Sequence, residues 1–134
     1  MQDPIDAEKI ENKLSRQVID AAIEVHRSLG GPGLLESLYE EALYHELKLR
    51  GISVYPQVQI PVTYKNIVLR DPMRVDLLVD QKLIIEVKAT DKDNVVYQAQ
   101  ILTYLRRTGL KLGLLVNFGR KRVVEGITRV VNGL

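Results

Sequence analysis

Three charged residues in the stretch Asp76-Leu77-Leu78-Val79-Asp80-Gln81-Lys82-Leu83-Ile84-Ile85-Glu86-Val87-Lys88 have types and spacing that suit catalysis. Glu86 and Lys88 are two residues apart, so in a strand both side chains leave by one face while Ile85 and Val87 leave by the other. Asp76, flanked by Val75 and Leu77, can likewise leave the face that those two bury. Two carboxylates and an ammonium held on rigid strands are what a divalent cation and a phosphodiester would need. The ordinary reading is a charged hairpin, whose exposed pairs would be worth at most about 1 kcal/mol. The apolar context argues against it. Ile84 shares the face of Glu86, and a carboxylate on a partly buried face is costly unless a metal, a lysine or hydrogen bonds compensate it.

The elements that must position these residues are legible from periodicity. Leu14, Val18, Ala22, Val25 and Leu29 recur at helical spacing, predicting a helix from about residue 5 to Leu29 that stops at Gly30-Gly31-Pro32-Gly33. A second helix is expected from about Leu35 to Arg50, closed by Gly51. Residues 52–69 are rich in Val, Ile and Tyr, with Pro56 and Pro61 restricting them to edge or bulged positions, and Lys65-Asn66 reads as a hairpin turn. Strands at 74–80 and 83–89 follow, then a polar loop at 90–94 and a third helix over about 95–107. The near-continuous apolar run 110–118 suits a buried strand. Arg120-Lys121-Arg122 reads as an exposed turn before a last strand, 123–131.

Two helices carry further candidates. On the second, Leu35, Leu38, Tyr39, Ala42, Leu43, Leu47 and Leu49 project as one apolar arc, with Glu36 at its edge and Glu46 inside it. Glu36 is also explained by the helix dipole, and Glu46 by an ion pair with Arg50 one turn later. On the third, Ala99, Ile101, Leu102 and Leu105 form the expected core face. Tyr97, Gln100 and Tyr104 stand along its border, where they would contact phosphate, orient the lysine, or simply bury rings and keep hydroxyls wet.

Composition bounds the function. The chain has 134 residues, 46% hydrophobic and 27% charged, which predicts one domain over 1–134. There is no cysteine, which removes thiolate catalysis and Cys-ligated zinc, and His26 and His45 have no partner at ligand spacing. Gly30-Gly31-Pro32-Gly33 lacks the Gly-Lys-Ser/Thr of a phosphate loop. No apolar run is long enough to span a membrane and no signal-peptide pattern opens the chain, so a cytoplasmic location is expected. The formal charge of +2 gives no strong nucleic-acid signature, so any such contact must come from local charge.

Taken together, the residues resemble a known family. Gly33-Leu34-Leu35-Glu36-Ser37-Leu38-Tyr39 matches the GxxExxY signature of a group of small bacterial and archaeal proteins. Tyr39-Glu40-Glu41-Ala42-Leu43, Val75-Asp76-Leu77-Leu78-Val79, Glu86-Val87-Lys88 and the run from Ala99 through Phe118 are similar to the same family in the same order. That family is placed in the PD-(D/E)XK nuclease superfamily. The resemblance implies an α/β fold of restriction-endonuclease-like type, a central mixed β-sheet flanked by helices. It implies Asp76 and Glu86 as metal-binding acids, Lys88 as the catalytic lysine and Glu36 as an added helical acid. Gln100 and Tyr104 match a QxxxY element. Arg74-Val75 stands before Asp76, where the superfamily's name suggests proline.

The expected activity is magnesium-dependent phosphodiester hydrolysis, with Mn²⁺ as a substitute for Mg²⁺. The backbone carbonyl of Val87 is a further candidate ligand, and the all-oxygen donor set favours magnesium over zinc. The expected partner is nucleic acid, DNA first and RNA as the alternative, and a homodimer would let two sites engage both strands. The competing expectation is a nucleic-acid-binding or protein-interaction module that keeps the fold without turnover.

Overall fold

The strand pair β4 (Met73–Val79) and β5 (Leu83–Lys88) is an antiparallel hairpin at the middle of a five-stranded sheet. Its turn is closed by the Lys82 amide donating to the Val79 carbonyl at 3.0 Å, with Asp80 and Gln81 both in the left-handed region (φ 51° and 55°). Two successive left-handed residues give the backbone twist that matches paired strands. The computed structural model describes residues 9–92 and 95–134.

Around this hairpin the chain places α1 (Ile10–Ser28), α2 (Glu36–Leu49), β1 (Val54–Ile60), β2 (Thr63–Tyr64), β3 (Ile67–Val68), α3 (Val95–Thr108), β6 (Leu112–Asn117), a 3₁₀ turn (Val123–Gly126) and β7 (Ile127–Val131). The sheet runs β1-β4-β5-β6-β7 and is antiparallel except at β5–β6. That parallel pair needs a crossover, which α3 supplies. All six residues of β6 are buried, as an apolar run covered on both faces should be. The mixed sheet flanked by helices is the α/β fold expected.

Each face of the sheet has its own core. Leu77, Val79, Leu83, Ile85 and Val87 pack with Val18, Ala22, Tyr39, Leu43 and Leu47 of α1 and α2. Val75, Ile84 and Leu115 pack with Ile101, Tyr104 and Leu105 of α3. Full burial of each aliphatic side chain stabilises by roughly 1.5–3 kcal/mol, so both helical layers are held firmly. α3 approaches the sheet closely at Gly113 of β6, where an added Cβ would stand 2.4 Å from Ile101 Cγ2.

Several sequence expectations are corrected. Residues 5–8 of the expected first helix lie outside the described residues, as do 93–94 of the expected loop. Leu29 is exposed, and the apolar arc of α2 narrows to the buried Tyr39, Leu43 and Leu47 with Ala42 partly buried beside them, because α2 meets its neighbours along one stripe only. Leu35, at 72% exposed, precedes the helix as its N-cap residue, and Leu38 and Leu49 face out. Ala99 is exposed, and Tyr104 is in the core rather than on its border. Residues 123–126 form a 3₁₀ turn instead of the start of the last strand. Gly126 is pressed on the Asn117 carbonyl, with room for no side chain (an added Cβ would lie 2.2 Å from that oxygen), and extended pairing begins only at Ile127. Pro56 does lie on an edge strand, β1, and Lys65-Asn66 does turn the β2–β3 hairpin, both residues having positive φ.

Candidate active site

The β4–β5 ladder ends at the Leu77–Ile85 pair, and the next residues on each strand are Asp76 and Glu86. Beyond that pair side chains take over from backbone. The Val87 amide donates to Asp76 Oδ2 at 2.9 Å, and the Asp76 amide donates to Glu86 Oε1 at 3.4 Å. The two acids therefore sit side by side where the strands part, only 7% and 5% exposed. Val87 reaches the site through its N–H; its side chain is in the core.

The expected alternation at Asp76 is corrected. Val75 and Leu77 do not share a face: Val75 joins the α3 core and Leu77 the opposite one. The facing strand is irregular at the same level. Register pairs Pro56 with Leu77 and Val58 with Val75, and Gln57 between them has φ 53°, left-handed in the middle of a strand. Gln57 Nε2 donates to Glu40 Oε2 at 2.6 Å, and Glu40 in turn faces Asp76. A local kink in β1 is thus tied through Glu40 to the acid it lies opposite.

One cleft of about 660 Å³ is lined by Asp76, Glu86, Lys88, Glu36, Gln100 and Tyr104, together with Arg74 and Gln59. The cleft brings together the six side chains that the family resemblance implied, whereas Tyr97 does not line it. Glu36 is held at the start of α2 by the residue that completes its signature. The Tyr39 hydroxyl donates to the Gly31 carbonyl at 2.7 Å and accepts from the Leu34 amide at 3.1 Å, while its ring stacks on Phe118 at 4.7 Å. His26 Nε2 reaches the Phe118 carbonyl at 3.1 Å, so this histidine belongs to the same packing. Glu46 is paired with Arg50 at 2.7 Å and is outside the cleft.

The lysine and the tyrosines divide their work differently from the sequence reading. Lys88 Nζ stands over the Tyr97 ring, 4.5 Å from its centre, whereas Gln100 Nε2 donates to the Tyr104 hydroxyl at 2.7 Å. Sequence reasoning missed Glu40 and Arg74. Signals for both were present: Glu40 is one helical turn after Glu36, and Arg74 is two residues before Asp76.

Ionisation is disfavoured at Glu86 and at Glu40. Burial, and then the neighbouring Asp76, push the Glu86 carboxyl up to about 7, while the Asp76 amide and Lys88 oppose the rise. Burial and Asp76 likewise push Glu40 up to about 7, opposed by Gln57. Burial and Glu86 raise the Tyr104 phenol. Among the described residues no three His, Asp or Glu side chains converge as a ready-made cation cage. The donors present are oxygens, and two adjacent buried carboxyl groups, Asp76 and Glu86, are suited to a hard divalent cation. Magnesium is commonly held by only one or two carboxylates, the rest of its shell being water and phosphate. The residues fit such an ion.

A family model described as the PD-(D/E)XK nuclease superfamily matches residues 12–130. The chain belongs to that superfamily. The solved crystal structure of SSO0001 shows the same fold for this PD-(D/E)XK chain, with a TM-score of 0.56 at 17% identity. The match covers 91% of this chain and 60% of that one, so the PD-(D/E)XK chain spans well under two thirds of its structural relative. No curated protein matches it. No helix among the described residues is long and apolar enough to cross a membrane.

The stability of this PD-(D/E)XK domain without metal should depend on pH. An ordinary glutamate carboxyl titrates near 4.5, and in the folded protein Glu86 and Glu40 hold their protons to about 7. Between those values the folded state binds more protons than the unfolded chain, so stability is full below about 4.5 and is lost as pH rises through about 7. Glu86 dominates, at roughly 1–3 kcal/mol; Glu40 is less buried and its share is screened by solvent. Urea unfolding in EDTA at pH 5 and pH 8 checks this, and equal or greater stability at pH 8 contradicts it.

Proposed function

We propose that this chain is a metal-dependent nuclease that hydrolyses phosphodiester bonds in DNA or RNA, using Mg²⁺ with Mn²⁺ as a substitute, and that it is a GxxExxY-type member of its superfamily. The observation that carries the reading is the parting of β4 and β5 at two buried carboxylates, with Lys88 on the same cleft. Asp76 and Glu86 would hold the cation, with Glu36 and the Val87 carbonyl as further oxygens. A bound divalent cation supplies Lewis acidity toward a phosphate oxygen and a more acidic water.

The remaining work is done by the chain. Lys88, once its ammonium leaves the Tyr97 ring, donates from Nζ to the attacking water or to a non-bridging phosphate oxygen as charge builds there. The Gln100–Tyr104 hydrogen bond fixes two donors on α3 toward the scissile strand. Arg74 contributes a second cation on the cleft, close enough to lower the Glu40 carboxyl.

The test is cleavage of labelled single-stranded, duplex and branched DNA and of RNA by purified protein, with Mg²⁺ or Mn²⁺ titrated from zero and calorimetry alongside. Metal-dependent cleavage, lost with Asp76→Asn, is the expected result. The absence of a three-ligand cluster among the described residues favours one rival, a nuclease-like fold that binds without turnover. No metal binding and no cleavage of any substrate would establish that rival.

Arg74 is expected to contact phosphate. Arg74→Gln should weaken binding about fivefold at low salt and flatten the dependence of log Kd on log salt by about 0.7–0.9, one phosphate contact. Fluorescence anisotropy between 50 and 200 mM salt, roughly the range over which such contacts weaken most visibly, measures both. An unchanged slope removes Arg74 from that role.

A further inference from the structure

Lys88 lines two cavities. One is the cleft with the acids; the other, of about 340 Å³, continues beyond it and is lined by Tyr97, Gln98, Thr128, Glu125 and the buried Leu115. We propose that this second basin receives the unpaired nucleobase next to the scissile phosphate, so that the site acts on single-stranded or frayed nucleic acid. The inference rests on the nuclease reading above and adds the form of its substrate.

Three features favour a base over a second phosphate or a peptide. The lining includes Leu115 and the Tyr97 ring, apolar surface suited to the flat face of a base. The rim carries an amide at Gln98, a hydroxyl at Thr128 and a carboxylate at Glu125, which match the donors and acceptors on a base edge. Lys88 and Lys92 line the same basin as Glu125, so the two ammonium groups can hold the phosphates that flank the base while the Glu125 carboxylate offers acceptors to its edge. Asn117 also lines the basin, but its side chain is already engaged with the Thr90 backbone on both its oxygen and its nitrogen. The volume is at the lower end of small-molecule sites, enough for one nucleoside. A base in a duplex is stacked and paired, and entering the basin would require it to flip out at a cost of a few kcal/mol.

Thr128 and Gln98 have no part in the proposed hydrolysis, so they can be changed with the acids intact or disabled. In Glu86→Gln protein, Thr128→Trp should fill the basin and weaken binding of a labelled single-stranded hexanucleotide about tenfold, leaving a blunt duplex unaffected. Gln98→Ala, on the exposed face of α3, should weaken the same oligonucleotide severalfold and guards against misfolding of the larger substitution. In the wild-type background both variants should lower cleavage of single strands more than of duplex. Unchanged single-strand binding in both variants, or equal losses on single strand and duplex, overturns the basin while wild-type cleavage upholds the nuclease. If wild-type protein neither binds nor cleaves any nucleic acid, the nuclease reading fails and the basin fails with it.

Discussion

Glu86→Gln should lower metal-dependent cleavage by at least about a thousandfold and at the same time make the metal-free protein more stable at pH 8. A position that contributes to function by being strained has this signature. Glutamine keeps the shape and the oxygen that accepts from the Asp76 amide, but it removes a charge that is 5% exposed and beside a second carboxylate. The loss of activity follows because a neutral amide is a poor ligand for a hard cation, and the proposed site would lose one of its two buried carboxylates. The stability gain should be on the order of 1–3 kcal/mol at pH 8 and vanish near pH 4.5, where the wild-type carboxyl is itself protonated. Denaturant midpoints at both pH values and single-turnover cleavage measure the two halves. Retained cleavage removes Glu86 from the machinery. A destabilised variant at pH 8 shows that its charge is compensated in the fold.

Gly119→Ala should destabilise the protein by about 3 kcal/mol or more, lowering Tm by roughly 10 °C. An added Cβ would lie 2.3 Å from the Thr90 carbonyl oxygen and 2.4 Å from its nitrogen, both backbone atoms that cannot swing aside. Thr90 is also clamped: its amide donates to Asn117 Oδ1, its carbonyl accepts from Asn117 Nδ2, and the Phe118 amide donates to the Lys88 carbonyl at 2.8 Å. Moving Thr90 therefore breaks the tie that sets the end of β5, and Lys88 moves with it. Cleavage should fall even at temperatures where the variant is folded. Gly109→Ala is the control: it has open space around it and only a left-handed backbone to oppose it (φ 76°), at a cost of about 1 kcal/mol. Equal losses at the two positions would contradict the account.

Much of this was legible in the sequence, and the physics explains where reading stopped. Periodicity located α1, α3, β6 and the β4–β5 hairpin because each element buries a face with its own repeat. It overstated α2, since a helical wheel shows which residues could be covered but not how wide the covering surface is. Leu38 and Leu49 fit the arc but are exposed. Val123 and Val124 have strand propensity, yet the turn there is decided by Gly126 against the Asn117 carbonyl, a contact across the fold. In the site, Glu86 and Lys88 declared themselves by spacing on one strand. Glu40 did not, because its role depends on Gln57 and Asp76, from two strands that only the sheet brings beside α2. Tyr97 and Tyr104 looked alike along the α3 border, and only the sheet geometry gives the lysine to one and Gln100 to the other.

The contact at Gly113 bears on how the site can move. Ile101 occupies the space a side chain would fill there, so α3 lies almost on the backbone of β6 and has no slack toward the sheet. Tyr97, Gln100 and Tyr104 are therefore mounted on a stationary jaw. Across from it, Glu36, Ser37 and Leu38 at the start of α2 are exposed, and the loop leading into them is tied down through the buried Tyr39. Any widening of the cleft to admit a strand has to come from the wall opposite α3, where Glu36 stands.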